Sequence, residues 1–505
     1  MTIRYSIAID GDHDGTAENE ISGQVIEMRW RLGMRGAYDS MAEKSWARIT
    51  VNNLTGAFSP ERNPLACGTR IRIQSIHAGL RQTHFTGIVS HIEPDEGEWS
   101  RKLALIHLQD IQVWLEAVSA NLPPQVDVTA DQVIEALLAR TIMRPAVIGG
   151  YCLIDVAGYN LIDSVNIFPA LRPPQRLEPG KTRFAYVGDW WGDSTSIRAA
   201  IGDIVTSERG RFYIDREGEA VFLNRHYTLV HEEVTAEFDN NMSGMEYSYG
   251  DQRLNRLTLL IRPREIGAKD TLLWQLQTAL RIEPRSELEV TLRLLDERGE
   301  PIGLLRVDRL IKRFQLTTEA GGDEITREVS AEVMRTEASS AVLRIRNRRR
   351  QSVYLTRLRL HGKPLYRGDP LEIVEADGES IYLYGIKQLS LDLPALSDIA
   401  TARAFAAYEL ARRKHPRGLV HSLRINAREH PTAALKASLF DRIRISERQT
   451  GHVGQDYFII WEEHHVSAGG TRHEVSWTLE PADSTRFVIV NDSVIGDLSE
   501  VLAPY

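Results

Sequence analysis

A mainly β protein with a minor α+β part is what the sequence predicts, and three observations predict it. Apolar and polar residues alternate with period two over most of the 505 residues, as strands with one buried face require. Helical periodicity is confined to a few short stretches. One β pattern near the N-terminus recurs near the C-terminus. A chain of this length exceeds the roughly 250–300 residues that one hydrophobic core organises, so several domains are expected.

Residues 1–118 alternate as strands, with Tyr5, Ile7 and Ile9, then Val25, Met28 and Trp30, then Ile71, Ile73 and Ile76. Pro60, Pro64 and Gly68 punctuate a loop. HFTGIVSHIEP, a turn at Asp95-Glu96-Gly97 and RKLALIHLQD form a hairpin, and Ile111, Trp114, Leu115 and Val118 mark a short helix. Residues 119–235 read as a small α+β unit. Thr129 and Gln132 fit a capping box before Val133, Ile134, Leu137 and Leu138. A second helix begins near Ser194, buries Ile197, Ile201, Ile204 and Val205, and stops at Gly210. RFYIDREGEAVFLN follows as a hairpin turning at Glu217-Gly218.

Residues 271–367 return to short strands with turns at ERGEP and EAGGDE, which suggests a sandwich-like module. Between Ala341 and Gly368 the chain holds nine Lys and Arg and no acid. Alternation puts the arginines on one strand face. That face is either solvated or set against an acidic partner subunit, and for the second case Arg344, Arg346, Arg348, Arg349 and Arg350 are the candidate inter-subunit contacts. Further on, SDIATARAFAAYELARRKHP is a helix with Ser397 as cap, Ile399, Ala402, Ala406 and Leu410 as packing face, and Pro416 beyond its end.

The recurrence is the most informative feature. TRIRI (69–73), HFTGIVSHI (84–92), a turn and KLALIHLQD (102–110) are echoed by DRIRI (441–445), DYFIIWEEHHV (456–466), a turn at Ala468-Gly469-Gly470 and HEVSWTLEP (473–481). Both read strand, loop, long strand, tight turn, strand, with Phe85 matched to Phe458. Two such units are what a duplicated β-barrel would leave behind.

Composition excludes much. The chain is 42% apolar and 26% charged with net charge −8, neither disordered nor a dedicated nucleic-acid binder. Cys67 and Cys152 cannot build a disulfide framework and read as two free, buried thiols. No run of about 18 apolar residues offers a membrane span, and the N-terminus turns acidic where a signal peptide needs an apolar core, so a reducing cytoplasm is expected. Nine Lys against 52 Arg fits either interface use of Arg or a GC-rich genome.

Four motifs invite chemistry, and each departs from its pattern. Asp10, Asp12, Asp14 and Gly15 open like a calcium loop, but Ile21 stands where the bidentate Glu belongs, with Glu20 one place early. EPGKT (178–182) ends like a phosphate-binding loop, yet Gln175 occupies the first glycine's place. GDSTS (192–196) offers a serine that a helix cap already uses. Glu463, His464, His465 and His473 form the dense histidine cluster, without metal-hydrolase spacing. His464 and His465 point to opposite strand faces, so a titratable surface is expected. No catalytic, cofactor or metal residue is assigned.

NNLTGAFSPERNPLACGTRIRI, HFTGIVSHIEP and LIHLQDIQVWLEAV resemble the hub, or minor tail, proteins at the tip of long-tailed phages. SIRAAIGDIVTSERGRFYIDREGEAVFLNR, GDQRLNRLTLLIRP, SIYLYGIKQLSLDL, ATARAFAAYELARRKHP and DRIRISERQTG with DYFIIWEEHHVSAGGTRHEVSWTLEPAD extend the likeness over most of the chain. Residues 271–367 are the least diagnostic. The resemblance implies a tail-tube-like barrel at 1–118, an α+β hub domain at 119–235 and a discontinuous second barrel at 236–270 plus 368–482. An inserted β-sandwich-like domain at 271–367 and a C-terminal tail at 483–505 complete it.

By the same resemblance the chain is a non-enzymatic hub. Three copies, two barrels each, make a six-barrel ring that matches a six-fold tail to a three-fold tip and opens for DNA ejection. Implied partners are the distal tail or tail tube ring, the tape measure protein, a tail fibre or receptor-binding protein, and passing genomic DNA, with no membrane insertion. The location is the virion tail tip, after assembly in the host cytoplasm. Ending at Tyr505 leaves receptor binding to another subunit, with the last residues as an attachment strand. The other classes are a tail-associated cell-wall hydrolase and the hub of a phage-like injection system.

Overall fold

The computed structural model describes residues 3–10, 17–37, 39–62, 65, 67–97, 99–141, 146–148, 151–153, 172–192, 194–296, 298–307, 314–317 and 329–482. It is mainly β with few helices, as the alternation predicts.

Twelve strands build its centre. The N-terminal unit holds β1 (Arg4–Ile9), β2 (Val25–Gly33), β3 (Trp46–Asn52), β4 (Arg70–His77), β5 (Leu80–Pro94) and β6 (Leu103–Gln109). The C-terminal unit holds β7 (Val234–Asp239), β8 (Gly244–Tyr249), β9 (Gly418–Asn426), β10 (Arg442–Glu447), β11 (His452–Ser467) and β12 (Arg472–Pro481). The first unit pairs in the order β1-β4-β5-β6-β3-β2, and the second in the order β7-β10-β11-β12-β9-β8. The two orders are the same, save that a thirteenth, two-residue strand, Asn19–Glu20, adds to β1 in the first unit. One pairing differs in sense: β1 runs antiparallel to β4, whereas β7 runs parallel to β10.

The likeness extends to single residues. In β5 the register with β6 slips between Val89 and His91, and in β11 the register with β12 slips between Ile459 and Trp461. Just before β4, the Gly68 amide donates to the Val89 carbonyl (2.8 Å) and Val89 donates to Thr69 (2.9 Å). Before β10, Phe440 donates to Ile459 (2.7 Å) and Ile459 to Asp441 (3.1 Å). Val89 and Ile459 are therefore equivalent. Arg70 lies opposite Ile88, and Arg442 opposite Phe458, so the structural partner of Phe458 is Ile88. The sequence match to Phe85 is three residues off, because the β4–β5 hairpin is longer than its counterpart and spacing alone cannot see an insertion at a turn.

The units join where β2 pairs antiparallel with β11, from Met28 opposite Val466 to Gly33 opposite Trp461. One apolar core spans both, with Trp30, Ile49, Ile73 and Phe85 packed in the same cluster as Tyr457, Ile459, Val475 and Trp477. Fully burying aromatics of this size contributes more than about 2 kcal/mol each.

Three further clusters surround it. Helix α1 (Ala130–Leu138), α2 (Ile197–Glu208) and the hairpin 211–214/220–223 form one core. Thr129 and Gln132 make the predicted capping box, and Ser196 caps α2 by accepting from Ala199 (3.1 Å). The residue that turns α2 left-handed is Arg209 (φ 62°), one place before the expected Gly210. The segment from 271 to 367, joined by the strand Arg264–Ile266, packs a six-stranded sheet centred on Val353–Arg367 with a three-stranded one over a common core. Strands 256–261, 371–376 and 388–393 form a separate sheet with α3 (Ile399–Arg413). Asp398, not Ser397, caps α3. Ile399 is exposed and Phe405 takes the packing place beside Ala402, Ala406 and Leu410. Cys67 is exposed on the turn before β4, which corrects the buried-thiol expectation; the side chain of Cys152 lies outside those described. Among the described residues no helix is long and apolar enough to cross a membrane.

Gly33 tests the junction. Its φ is +112°, and a Cβ there would sit 2.3 Å from the Ile460 carbonyl oxygen, far inside contact distance. Gly33→Ala should therefore lower stability by about 2–3 kcal/mol in urea denaturation, whereas Gly36→Ala, whose Cβ would meet only Asp39 at 3.9 Å, should be near neutral.

Candidate functional site

The junction carries the chain's densest chemistry, split between two sheet faces by the period-two pleat. Met28, Trp30 and Leu32 of β2 point inward, as do Glu462, His464 and Val466 of β11. Arg29 and Arg31 point outward with Trp461, Glu463 and His465.

Inside, the Trp30 ring stacks on His464 at 4.8 Å and 10°. His464 Nδ1 hydrogen-bonds His473 Nε2 (2.9 Å), and His473 Nδ1 bonds the Tyr5 hydroxyl (2.8 Å). His84, contributed by β5, bonds Ser75 Oγ (2.7 Å) and lies 5.7 Å from the His464 ring. All three imidazoles are buried. The expected titratable surface is thus overturned for His464 and His473, because the pleat turns them into the core. Only His465 faces out, bonded to Glu27 (2.7 Å). His84 went unnoticed in sequence, since nothing in it shows that β5 and β11 bring their histidines together.

Glu462 is buried beside this cluster and takes a two-pronged pair from Arg216, Nε to Oε1 at 2.7 Å and Nη2 to Oε2 at 2.6 Å. Arg216 spends its other N–H groups on the carbonyls of Leu435 (2.9 Å) and Ala437 (2.6 Å). It projects from the turn of the 211–214/220–223 hairpin, so one ion pair pins the α+β unit under the junction. Burial raises the Glu462 pKa, but Arg216 and His464 outweigh it and hold the carboxyl at about 2. A second buried node lies nearby. Arg211 and Arg413 reach Glu480 at 3.1 and 3.8 Å, and Arg413 and Arg209 reach Glu409 at 3.0 and 3.9 Å.

Outside, register places His91, His107, Arg48, Arg29, His465 and Glu474 in one row across β5, β6, β3, β2, β11 and β12. Arg29 pairs with Glu463, His465 with Glu27, and both His91 and His107 with Glu93, while Arg48 lies over the Trp46 ring.

The other candidates fall elsewhere. Asp10 is buried at the end of β1, its amide donating to the Arg70 carbonyl (2.9 Å); Asp12 and Asp14 lie outside the described residues. The EPGKT loop presents its amides to carboxylates rather than phosphates: Gly180 donates to Asp131 (2.8 Å), and Lys181 and Thr182 donate to Glu208 (2.7 and 2.8 Å). GDSTS ends at the α2 cap. Arg344 pairs with Glu289 (2.9 Å) and Arg346 with Glu287 (2.5 Å) on the neighbouring strand of the same chain. Arg348 and Arg350 are exposed in the turn that follows, with Arg349 half-buried between them.

No protein-family model matches this sequence, and no curated protein matches it. Solved structures do. The 43 kDa tail protein of prophage MuSo2 from Shewanella oneidensis is 8% identical at a TM-score of 0.46, covering 95% of this chain and 99% of that one. The tail protein from Neisseria meningitidis MC58 is 10% identical at 0.45, covering 95% and 97%. A type VI secretion component of E. coli, described as similar to the phage T4 tail proteins gp27 and gp5, is 9% identical at 0.36, covering 95% and 77%. The chain resembles phage tail proteins. Likenesses of this degree assign no residue a role.

Two predictions follow from the burial. Arg216→Met should cost about 3–5 kcal/mol by stranding Glu462, and Arg216→Met with Glu462→Leu should recover most of it, measured by denaturant unfolding. Burial lowers the pKa of His84, His464 and His473, with Arg216 and the neighbouring imidazoles adding to it for His84 and His473. The unfolded chain therefore binds more protons below about pH 6.5, and stability present at neutral pH is lost as pH falls through that value. Each histidine contributes up to about 1.4 kcal/mol per pH unit. His84→Gln should flatten the slope between about pH 6.5 and 5, and an unchanged slope would refute the assignment.

Proposed function

We propose that the chain is a structural hub of a phage tail tip or baseplate, in which three copies close a ring of six alike β units around a lumen. The observation that carries this is the junction. Inside one chain, β2 of the first unit lies along the second half of β11 in the second. Each unit has both features. The second unit offers β8, the counterpart of β2, and the first offers residues 90–94 of β5, the counterpart of the docked half of β11. Among the described strands neither edge has a partner. A step that fits once within the chain, repeated from chain to chain, joins β8 of one copy to β5 of the next. Such head-to-tail contacts give closed rings when the rotation closes, and edge pairing supplies the backbone hydrogen bonds.

Register fixes the contact. Glu246, Met245 and Gly244 lie opposite Ser422, Leu423 and Arg424 as Arg29, Met28 and Glu27 lie opposite Arg48, Ile49 and Thr50. The register with β9 slips between Glu246 and Tyr247; counted along β8 itself, Tyr247 and Tyr249 match Trp30 and Leu32, and they would face Pro94 and Ile92 of the next copy. Tyr249 is 69% exposed in the single chain, an aromatic awaiting cover. Pro94 lacks one ladder donor, which keeps the free edge from pairing at random.

The outward row would line the lumen. Arg29 is matched by Glu463 and Arg48 is laid over the Trp46 ring, so the row offers DNA no comb of free cations and lets it slide. Arg348, Arg349 and Arg350 would meet a neighbouring protein, while the tail tube ring, tape measure protein and a receptor-binding subunit would attach above and below. A hydrolase would draw on the histidine cluster, of which His464 and His473 belong to the core and His465 faces out paired with Glu27.

Disulfide trapping tests the contact. In a Cys67→Ser background, Tyr249→Cys with Ile92→Cys should yield covalent trimers on oxidation, and Tyr249→Cys alone should not. Ser248→Pro should leave a folded monomer by circular dichroism and light scattering. Assembly that ignores Ser248→Pro, with no cross-linked species, would refute the reading.

A further inference from the structure

On the outward face, three side chains converge outside the junction itself. His91 and Glu93 stand two residues apart on β5 and so share a face, and His107 stands directly opposite His91 on β6. One ligand atom from each lies within 4.8 Å of the others. His91 Nε2 is 3.3 Å from Glu93 Oε1 and His107 Nε2 is 3.4 Å from Oε2. A tetrahedral ion with bonds of about 2.0–2.1 Å sets its ligand atoms roughly 3.3–3.4 Å apart, so each imidazole already stands at ligand spacing from one carboxylate oxygen, and the set has to draw in from within 4.8 Å to close on one ion.

The hydrogen bonds around the set favour metal over proton. Ser90 Oγ donates to the His107 carbonyl (3.1 Å). Its one hydroxyl proton is thereby used, so toward His91 Nδ1 (3.0 Å) it accepts. That places the proton on Nδ1 and leaves the lone pair of His91 Nε2 aimed at the carboxylate, an arrangement that orients a metal-binding imidazole. His107 is mostly covered, and its Nε2 makes no hydrogen bond. The two imidazoles stack at 4.0 Å and 11°, so their in-plane lone pairs run side by side, and a turn of one ring brings both onto one ion. Arg48, across from His107, opposes a cation, but its guanidinium lies over the Trp46 ring at 5.0 Å.

We infer that His91, Glu93 and His107 form a binding site for a divalent borderline cation such as zinc, clamping the end of β5 to β6 and leaving a coordination position open on the outward face. The second unit is a built-in control. Its equivalent positions are Trp461, Glu463 and Thr478, which retain the carboxylate and replace both imidazoles, so among the described residues the site occurs once. The inference does not rest on the ring, because all three ligands come from one copy.

The test is titration of the metal-free full-length chain with zinc by calorimetry, and with cobalt by visible absorption. One zinc per chain is expected, with tetrahedral cobalt bands and binding that weakens in acid, because metal binding to these ligands displaces protons. His91→Ala and His107→Ala should each weaken binding at least tenfold, and His465→Ala, on the same face, should leave it unchanged. Zinc affinity weaker than about 100 μM, equal binding by the His91 and His107 variants, or equal loss in His465→Ala would overturn the site. X-ray absorption of the wild-type zinc form should show two imidazoles and a carboxylate without needing a variant; three or more imidazoles, or sulfur, would also overturn it.

Discussion

The pairing of β2 with β11 is the constraint on which the rest of this structure depends. It converts two six-stranded units into one sheet and leaves a single core between them. Everything packed nearby serves that seam. Gly33 lets two backbones approach where a methyl group would collide. Trp30 and His464 stack across it, and Arg216 locks Glu462 from below. A seam made of backbone hydrogen bonds is also repeatable, since the same edges exist on every unit. Side-chain packing alone would have been specific to one pair of units.

Arginine usage acquires a physical cause at this seam. Arg209, Arg216 and Arg413 are buried, and Arg211 is partly buried, against Glu409, Glu462 and Glu480. A guanidinium keeps its charge when buried and satisfies a carboxylate with two parallel bonds, which an ammonium cannot. Such pairs tie helices and hairpins from distant parts of the chain to the sheet. Arg344 and Arg346 show the exposed version of the same habit, matched to Glu289 and Glu287 across a strand pair. These exposed pairs stabilise little, and they occupy arginines that alternation alone would have left for a partner.

Periodicity was legible in the sequence because it is local, and caps were legible to within a residue or two, Asp398 taking the place expected of Ser397. The Thr129–Gln132 box, the Ser196 cap and the hairpin turning near Gly218 all follow from short-range chemistry. The echo of TRIRI by DRIRI was legible too, and it marks equivalent strands. Its alignment was not, because hairpin length is invisible to spacing and only hydrogen bonds at Val89 and Ile459 fix the match. The histidines show the same limit. Adjacent His464 and His465 were readable as lying on opposite faces, but which face was core depended on β2 arriving from 430 positions away in the chain. His91, Glu93 and His107 are an ordinary pair of strand residues and a remote third until β5 and β6 pair in register.

The central claim is that the junction seen within one chain recurs between chains. Image averaging of the purified assembly by electron microscopy tests it most directly. The account predicts a three-fold ring with six alike lobes around an open lumen and continuous sheet density between neighbouring copies. A particle that stays a two-lobed monomer at every concentration, or a ring whose copies touch through residues 271–367 while β8 stands free, would contradict it.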